Sequence, residues 1–118
     1  MERQRWSMEH DRSTLLDIVR AGELVQEFKA GMDKASFLED FKTQSAILHQ
    51  LMVMGEAVKR LSSEFRAAHP QIPWALVAGM RDKLIHGYDI VDLEQVWQTA
   101  VTDVPALLEE IRPLLPEQ

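Results

Sequence analysis

Cysteine is absent from this chain of 118 residues. That excludes disulfides and thiolate zinc sites and argues against a secreted disulfide scaffold. No run approaches the roughly 18 apolar residues that span a bilayer. The opening Met1-Glu2-Arg3-Gln4-Arg5-Trp6 is charged and lacks the apolar centre of a signal peptide. Together these absences predict a cytoplasmic protein with no membrane partner. No β-strand alternation shows, and nothing repeats at a fixed period. No glycine-rich phosphate loop and no Ser/His/Asp ordering stand out. No Glu-x-x-His pair occurs, which speaks against a di-metal site in a helical core.

Basic charge is also in short supply. Net charge is −6, so the broad basic patch of a sequence-blind RNA binder is missing. The distribution is uneven. Residues 1–52 carry 7 Lys/Arg and 9 Asp/Glu, residues 53–88 carry 5 and 3, and residues 89–118 carry 1 and 7. A small basic cleft in an acidic body is compatible with this. The acidic final third reads as a solvated face, or as a dock for a basic partner.

What is present is an ordinary globular balance, 46% hydrophobic and 27% charged. The length fits one domain, residues 1–118, with a real core. Four helical segments stand out. The first runs from about Asp11 to Lys29 on Leu15, Ile18, Val19, Val25 and Phe28, and stops at Gly31. Residues 1–10 read as a loosely ordered lead-in. The second opens with Ser36-x-x-Glu39 as a capping box. It continues through Phe37, Phe41, Leu48, Leu51, Gly55, Val58 and Phe65 to His69-Pro70. About 30 residues of helix would span about 45 Å. Gly55 inside a helix disfavours it by about 1 kcal/mol relative to Ala, which points to close approach of another helix. The third starts at Pro73 and ends at Gly87. The fourth starts at Asp92, with Asp92-x-x-Gln95 as a capping box, and Pro105 should kink or break it. Its stripe continues to Pro113 and Pro116. Short connections favour an all-α, up-down four-helix bundle.

The chemistry lies in Gly79-Met80-Arg81-Asp82-Lys83-Leu84-Ile85-His86-Gly87-Tyr88-Asp89. His moves protons near neutral pH and Arg holds a phosphate in fixed geometry. On a straight helix Arg81 and His86 would stand about 140° apart. A break at Gly87 lets the imidazole turn. Asp82 lies four before His86 and could pair with it along the helix. The bland alternative pairs Arg81 with Glu56 or Asp82 and leaves His86 at the helix C-terminus, where a cation is favoured. His10, His49 and His69 read as solvated or structural. The methionines and tryptophans read mostly as core.

Gly55-Glu56-Ala57, Ile72-Pro73-Trp74, Gly79 through Tyr88, and Val96-Trp97 occur in an order and spacing that resembles the HepT-like branch of the HEPN superfamily. The resemblance covers about residues 11–115. It implies a four-helix bundle that pairs as a homodimer, with Arg-x4-His motifs in a shared cleft. Active members are metal-independent endoribonucleases and act as toxins of type VII toxin–antitoxin systems. Their antitoxin is an MntA-type nucleotidyltransferase that moves AMP from ATP to the tyrosine of the His-x-Tyr element. Carried over by position, Arg81 and His86 are catalytic, Asp82 is supporting, and Tyr88 is supporting and the AMPylated residue. The substrate is RNA, with tRNA suggested by family analogy. No DNA partner, cofactor or metal is expected. Two other readings remain open. One is a non-catalytic module that assembles with a nucleotidyltransferase and binds nucleotide or RNA, which the net charge favours. The other is a structural bundle without a site.

Overall fold

The computed structural model describes residues 2–86 and 90–115. These are mostly helical, with one two-stranded antiparallel ribbon. Helix α1 (Glu2–Lys29) begins well before Asp11, so residues 2–10 of the expected loose lead-in are helical. Leu15, Ile18, Val19 and Val25 are buried, while Phe28 lies exposed at the edge of the stripe. Two polar residues tie the first half of α1 down. The Asp11 carboxylate is buried and accepts from the Ser62 backbone N–H at 2.8 Å and the Ser62 hydroxyl at 2.6 Å. His10 Nε2 lies 3.0 Å from the Arg60 carbonyl oxygen. Beyond Lys29 the chain turns at Gly31, whose φ is +78°, a conformation glycine adopts without steric penalty.

The single long helix expected next is three helices. They are α2 (Lys34–Glu39), α3 (Phe41–Lys59) and α4 (Ser63–Ala68). Ser36 is not the first cap. Asp33 is, and its carboxylate accepts from the Ser36 N–H at 2.8 Å. Asp40 repeats the device, accepting from the Thr43 N–H at 3.0 Å. The Gln44 amide donates back to the Phe37 and Leu38 carbonyls, each at 3.0 Å. Short polar side chains offer the backbone an alternative to the helical ladder, so a bend can form where packing favours it. Here the bend sets fully buried Phe37 against Trp97, with ring centroids 5.2 Å apart. It leaves Phe41, expected on the seam, 80% exposed. Most of the rest of the seam is buried as expected: Leu51 and Val58 lie in the core beside Ile47, Met54 and Ala57. Ser62 starts α4, its hydroxyl accepting from the Phe65 N–H at 3.1 Å.

The third expected helix is also divided. Gly79 separates α5 (Trp74–Ala78) from α6 (Met80–Leu84), and the chain then becomes extended. Strand β1 (Ile85–His86) pairs with β2 (Ile90–Val91), Ile85 opposite Val91 and His86 opposite Ile90. No strand was expected here. Gly55 is packed as predicted: a Cβ there would lie 3.0 Å from the Val77 carbonyl oxygen. Trp74 Nε1 donates to the His69 backbone carbonyl at 3.0 Å, and the His69 ring lies tilted against Phe65, with ring centroids 4.6 Å apart.

Helix α7 (Leu93–Gln98) starts at the Asp92 cap, as read from the sequence. A π-helical turn, Thr99–Asp103, joins it to α8 (Val104–Ile111). Pro105 was expected to break this helix; the wider turn absorbs it instead. The Val104 N–H donates to the Thr99 carbonyl, five residues back. In that register the next donor to the Ala100 carbonyl would be Pro105, which has no N–H. The Gln26 amide takes its place at 3.2 Å. Leu107, Leu108 and Ile111 then bury against α1, where a Cβ on Gly22 would come 2.8 Å from Leu108 Cδ2. A 3₁₀ turn, Arg112–Leu114, follows, and Pro116 lies outside the described residues. No helix among the described residues is long and apolar enough to cross a membrane.

Candidate active site

Short α6 presents the charged residues. Met80 and Leu84 are four apart and buried, which fixes the helix on the core. Arg81, Asp82 and Lys83 therefore face solvent, and all three are exposed. The chain leaves the helix at Ile85, so Arg81 and His86 lie on adjoining elements and not on one straight helix. In β1 alternate side chains point to opposite faces: Ile85 is half-buried against the core and His86 is exposed. The Asp92 N–H donates to the Leu84 carbonyl at 2.8 Å, closing the ribbon at its base.

The expected Asp82–His86 pair does not form. That pairing needed a continuous helix, and the helix ends at Leu84. The partner of His86 is Asp92, with Nε2 3.4 Å from Oδ2. Asp92 holds two positions at once, because its Oδ1 also accepts the Gln95 N–H at 3.1 Å as the cap of α7. The sequence marked Asp92 as a cap. Its role beside His86 was invisible, because the hairpin brings positions 86 and 92 together. Neither Glu56 nor Asp82 lies within ion-pair distance of Arg81; Glu56 pairs with Lys59 at 3.2 Å. Lys83 bridges to Asp103 at 3.2 Å, linking α6 to the π-helical turn. Gly87, the expected helix stop, and Tyr88, the expected modified residue, lie outside the described residues.

Chemically, the set is an exposed imidazole facing a carboxylate, with a guanidinium one short element upstream. An imidazole can take and give a proton near neutral pH, and a guanidinium can hold a phosphate oxygen pair. Among the described residues no three His, Asp or Glu side chains stand close enough to hold a metal ion.

A family model described as ribonuclease HepT-like matches residues 18–114. The chain is 45% identical over 93 residues to a probable ribonuclease HepT of Thermococcus cleftensis, covering 79% of this chain and 84% of that one. It is 38% identical over 104 residues to a candidate RNase of Methanocaldococcus jannaschii, covering 88% and 86%. A candidate RNase of Caldanaerobacter subterraneus is 35% identical over 111 residues, covering 94% and 99%. No solved structure matches the chain. The protein belongs to the HepT-like ribonuclease family.

Proposed function

We propose that this protein is a metal-independent endoribonuclease that works as a homodimer, with Arg81 and His86 as its catalytic residues. The observation that carries the proposal is the placing of His86. It sits exposed on a strand, Nε2 facing Asp92 at 3.4 Å, directly after the helix that presents Arg81. In the reaction the RNA 2′-oxygen attacks the adjacent phosphorus. The O2′–P bond forms, the P–O5′ bond breaks, and a 2′,3′-cyclic phosphate results. One His86 takes the 2′-hydroxyl proton, and the His86 of a second protomer protonates the leaving 5′-oxygen. Arg81 balances the charge that builds on phosphorus. General acid–base work of this kind is worth roughly 10²–10⁴ in rate. Loss of a preorganised charge donor typically lowers the rate by about 10²–10³.

The biological setting is that of a type VII toxin whose antitoxin is an MntA-type nucleotidyltransferase. AMP added to the Tyr88 hydroxyl, with pyrophosphate leaving from ATP, would place an anion two residues from His86. It would compete with RNA phosphate for Arg81. Exposed apolar side chains support pairing of two copies: Leu76 is 73% exposed and Ile90 64%. tRNA is the substrate class family analogy suggests. The net charge of −6 favours a second reading, a module that binds RNA or nucleotide without cutting it.

Arg81→Ala and Arg81→Lys separate the two. A nuclease loses roughly 10²-fold in cleavage with Ala, recovers little with Lys because one ammonium cannot hold two oxygens, and stays dimeric by light scattering. Equal cleavage by all three proteins, or a monomer at micromolar concentration, would contradict the proposal.

A further inference from the structure

We propose that Asp92 is the positioning residue of this site: it holds His86 by the Nε2 edge and leaves Nδ1 to exchange protons with RNA. The inference rests on the nuclease reading for its effect on rate, but its structural half can be tested without activity. The geometry that carries it is the division of labour within one carboxylate. Oδ1 is fixed by the Gln95 N–H at 3.1 Å, and this bond starts α7. That leaves Oδ2 at ion-pair distance from the imidazole, 3.4 Å from Nε2. The Asp92 backbone N–H, bonded to Leu84 O at 2.8 Å, locks the same residue to the end of α6. Asp92 thus joins the helix of Arg81, the strand of His86 and the start of α7. Among the described residues no other carboxylate lies within ion-pair distance of His86.

An acceptor facing Nε2 selects the neutral tautomer that carries its hydrogen on Nε2. Nδ1 then has the lone pair that accepts the 2′-hydroxyl proton. The cap makes a sharp prediction possible. In Asp92→Asn the one remaining side-chain oxygen is still wanted by the Gln95 N–H, since Asn caps as well as Asp. The amide NH₂ therefore turns toward His86. Nε2 must become the acceptor, and the hydrogen moves to Nδ1, the wrong nitrogen for a base. In Asp92→Ser the cap is kept, but the shorter side chain does not reach the ring, and the tautomer is left to solvent.

The experiment is ¹⁵N NMR of the His86 ring in the neutral form, in the parent and both variants, beside steady-state cleavage. The expected result is an Nε2–H tautomer in the parent, Nδ1–H in Asp92→Asn and a mixture in Asp92→Ser. With it should come a fall in kcat of roughly tenfold or more for Asp92→Asn, with KM little changed. Unaltered circular dichroism and melting would show that the cap survives. An unchanged tautomer in Asp92→Asn would overturn the proposal. So would a changed tautomer with unchanged kcat. A parent that shows the Nε2–H tautomer but cuts no RNA would contradict the nuclease reading while leaving the placing of His86 by Asp92 intact.

Discussion

Gly55 shows how one missing methyl group sets a helix crossing. A Cβ at that position would lie 3.0 Å from the Val77 carbonyl oxygen and 3.7 Å from Met80 Cβ. The nearer neighbour is backbone, which does not yield like a side chain. Gly55→Ala would gain about 1 kcal/mol of helix propensity. Overpacking typically costs about 1–3 kcal/mol, and the backbone contact places this site toward the upper end. A net loss of stability is expected, read as a lower urea midpoint; a raised midpoint would mean that α5 can move away. The sequence revealed this contact because a glycine inside a helix needs a reason. The pairing of Asp92 with His86 was not legible, because no rule of spacing links a strand residue to a cap six positions on. The buried Asp11 carboxylate was hidden for the same reason, its partner Ser62 lying 51 residues away.

Elements were legible where their ends carried strong signals and lost where the signal was doubled. Gly31 and Asp92 end or begin helices as read. The break at Asp40 was missed because the apolar spacing runs on through it. A local cue existed in Asp33 and Asp40, each three residues before the N–H it caps. The ribbon was missed because strands of two residues are too short to alternate. The two caps carry a pH prediction. The Thr43 N–H bonded to Asp40, and the Ser36 N–H bonded to Asp33, hold those carboxyls below the ordinary aspartate range. Bonding to the charged form favours it. A folded value below the unfolded one means the stabilisation is complete above the unfolded value, about 3.9. It is lost as pH falls through the lower, folded value. The Thr43 amide resonance should therefore titrate with a midpoint below that of a free aspartate, and Asp40→Asn should abolish the titration. A midpoint at or above the free value would contradict the cap.

The π-helical turn carries a second prediction at the same scale. Gln26→Ala removes the side-chain donor to the Ala100 carbonyl and should destabilise the protein by about 1 kcal/mol. In a Pro105→Ala background the restored N–H can reach that carbonyl, and the same change should be nearly neutral. A double-mutant cycle by chemical denaturation reads the difference. Equal effects of Gln26→Ala in both backgrounds would show that Pro105 does not set the turn.

For the whole molecule, the helical class and the family were legible in short motifs spread along the chain, and the family model covers residues 18–114. Topology was less so. Four expected helices became eight α-helices, a π-helical turn, a 3₁₀ turn and a ribbon among the described residues, because capping and packing cut the long stripes into pieces. The broken path takes His86 off the helix of Arg81, where a straight path would have set the two about 140° apart. The measurement that tests the central claim most directly is RNA cleavage by the unmodified protein in EDTA, without any partner, beside His86→Ala. Cleavage by the parent to cyclic-phosphate ends, with none from the variant, is the expected result. Equal cleavage by both proteins, or none by a dimeric parent whose intact mass shows no AMP on Tyr88, would contradict it.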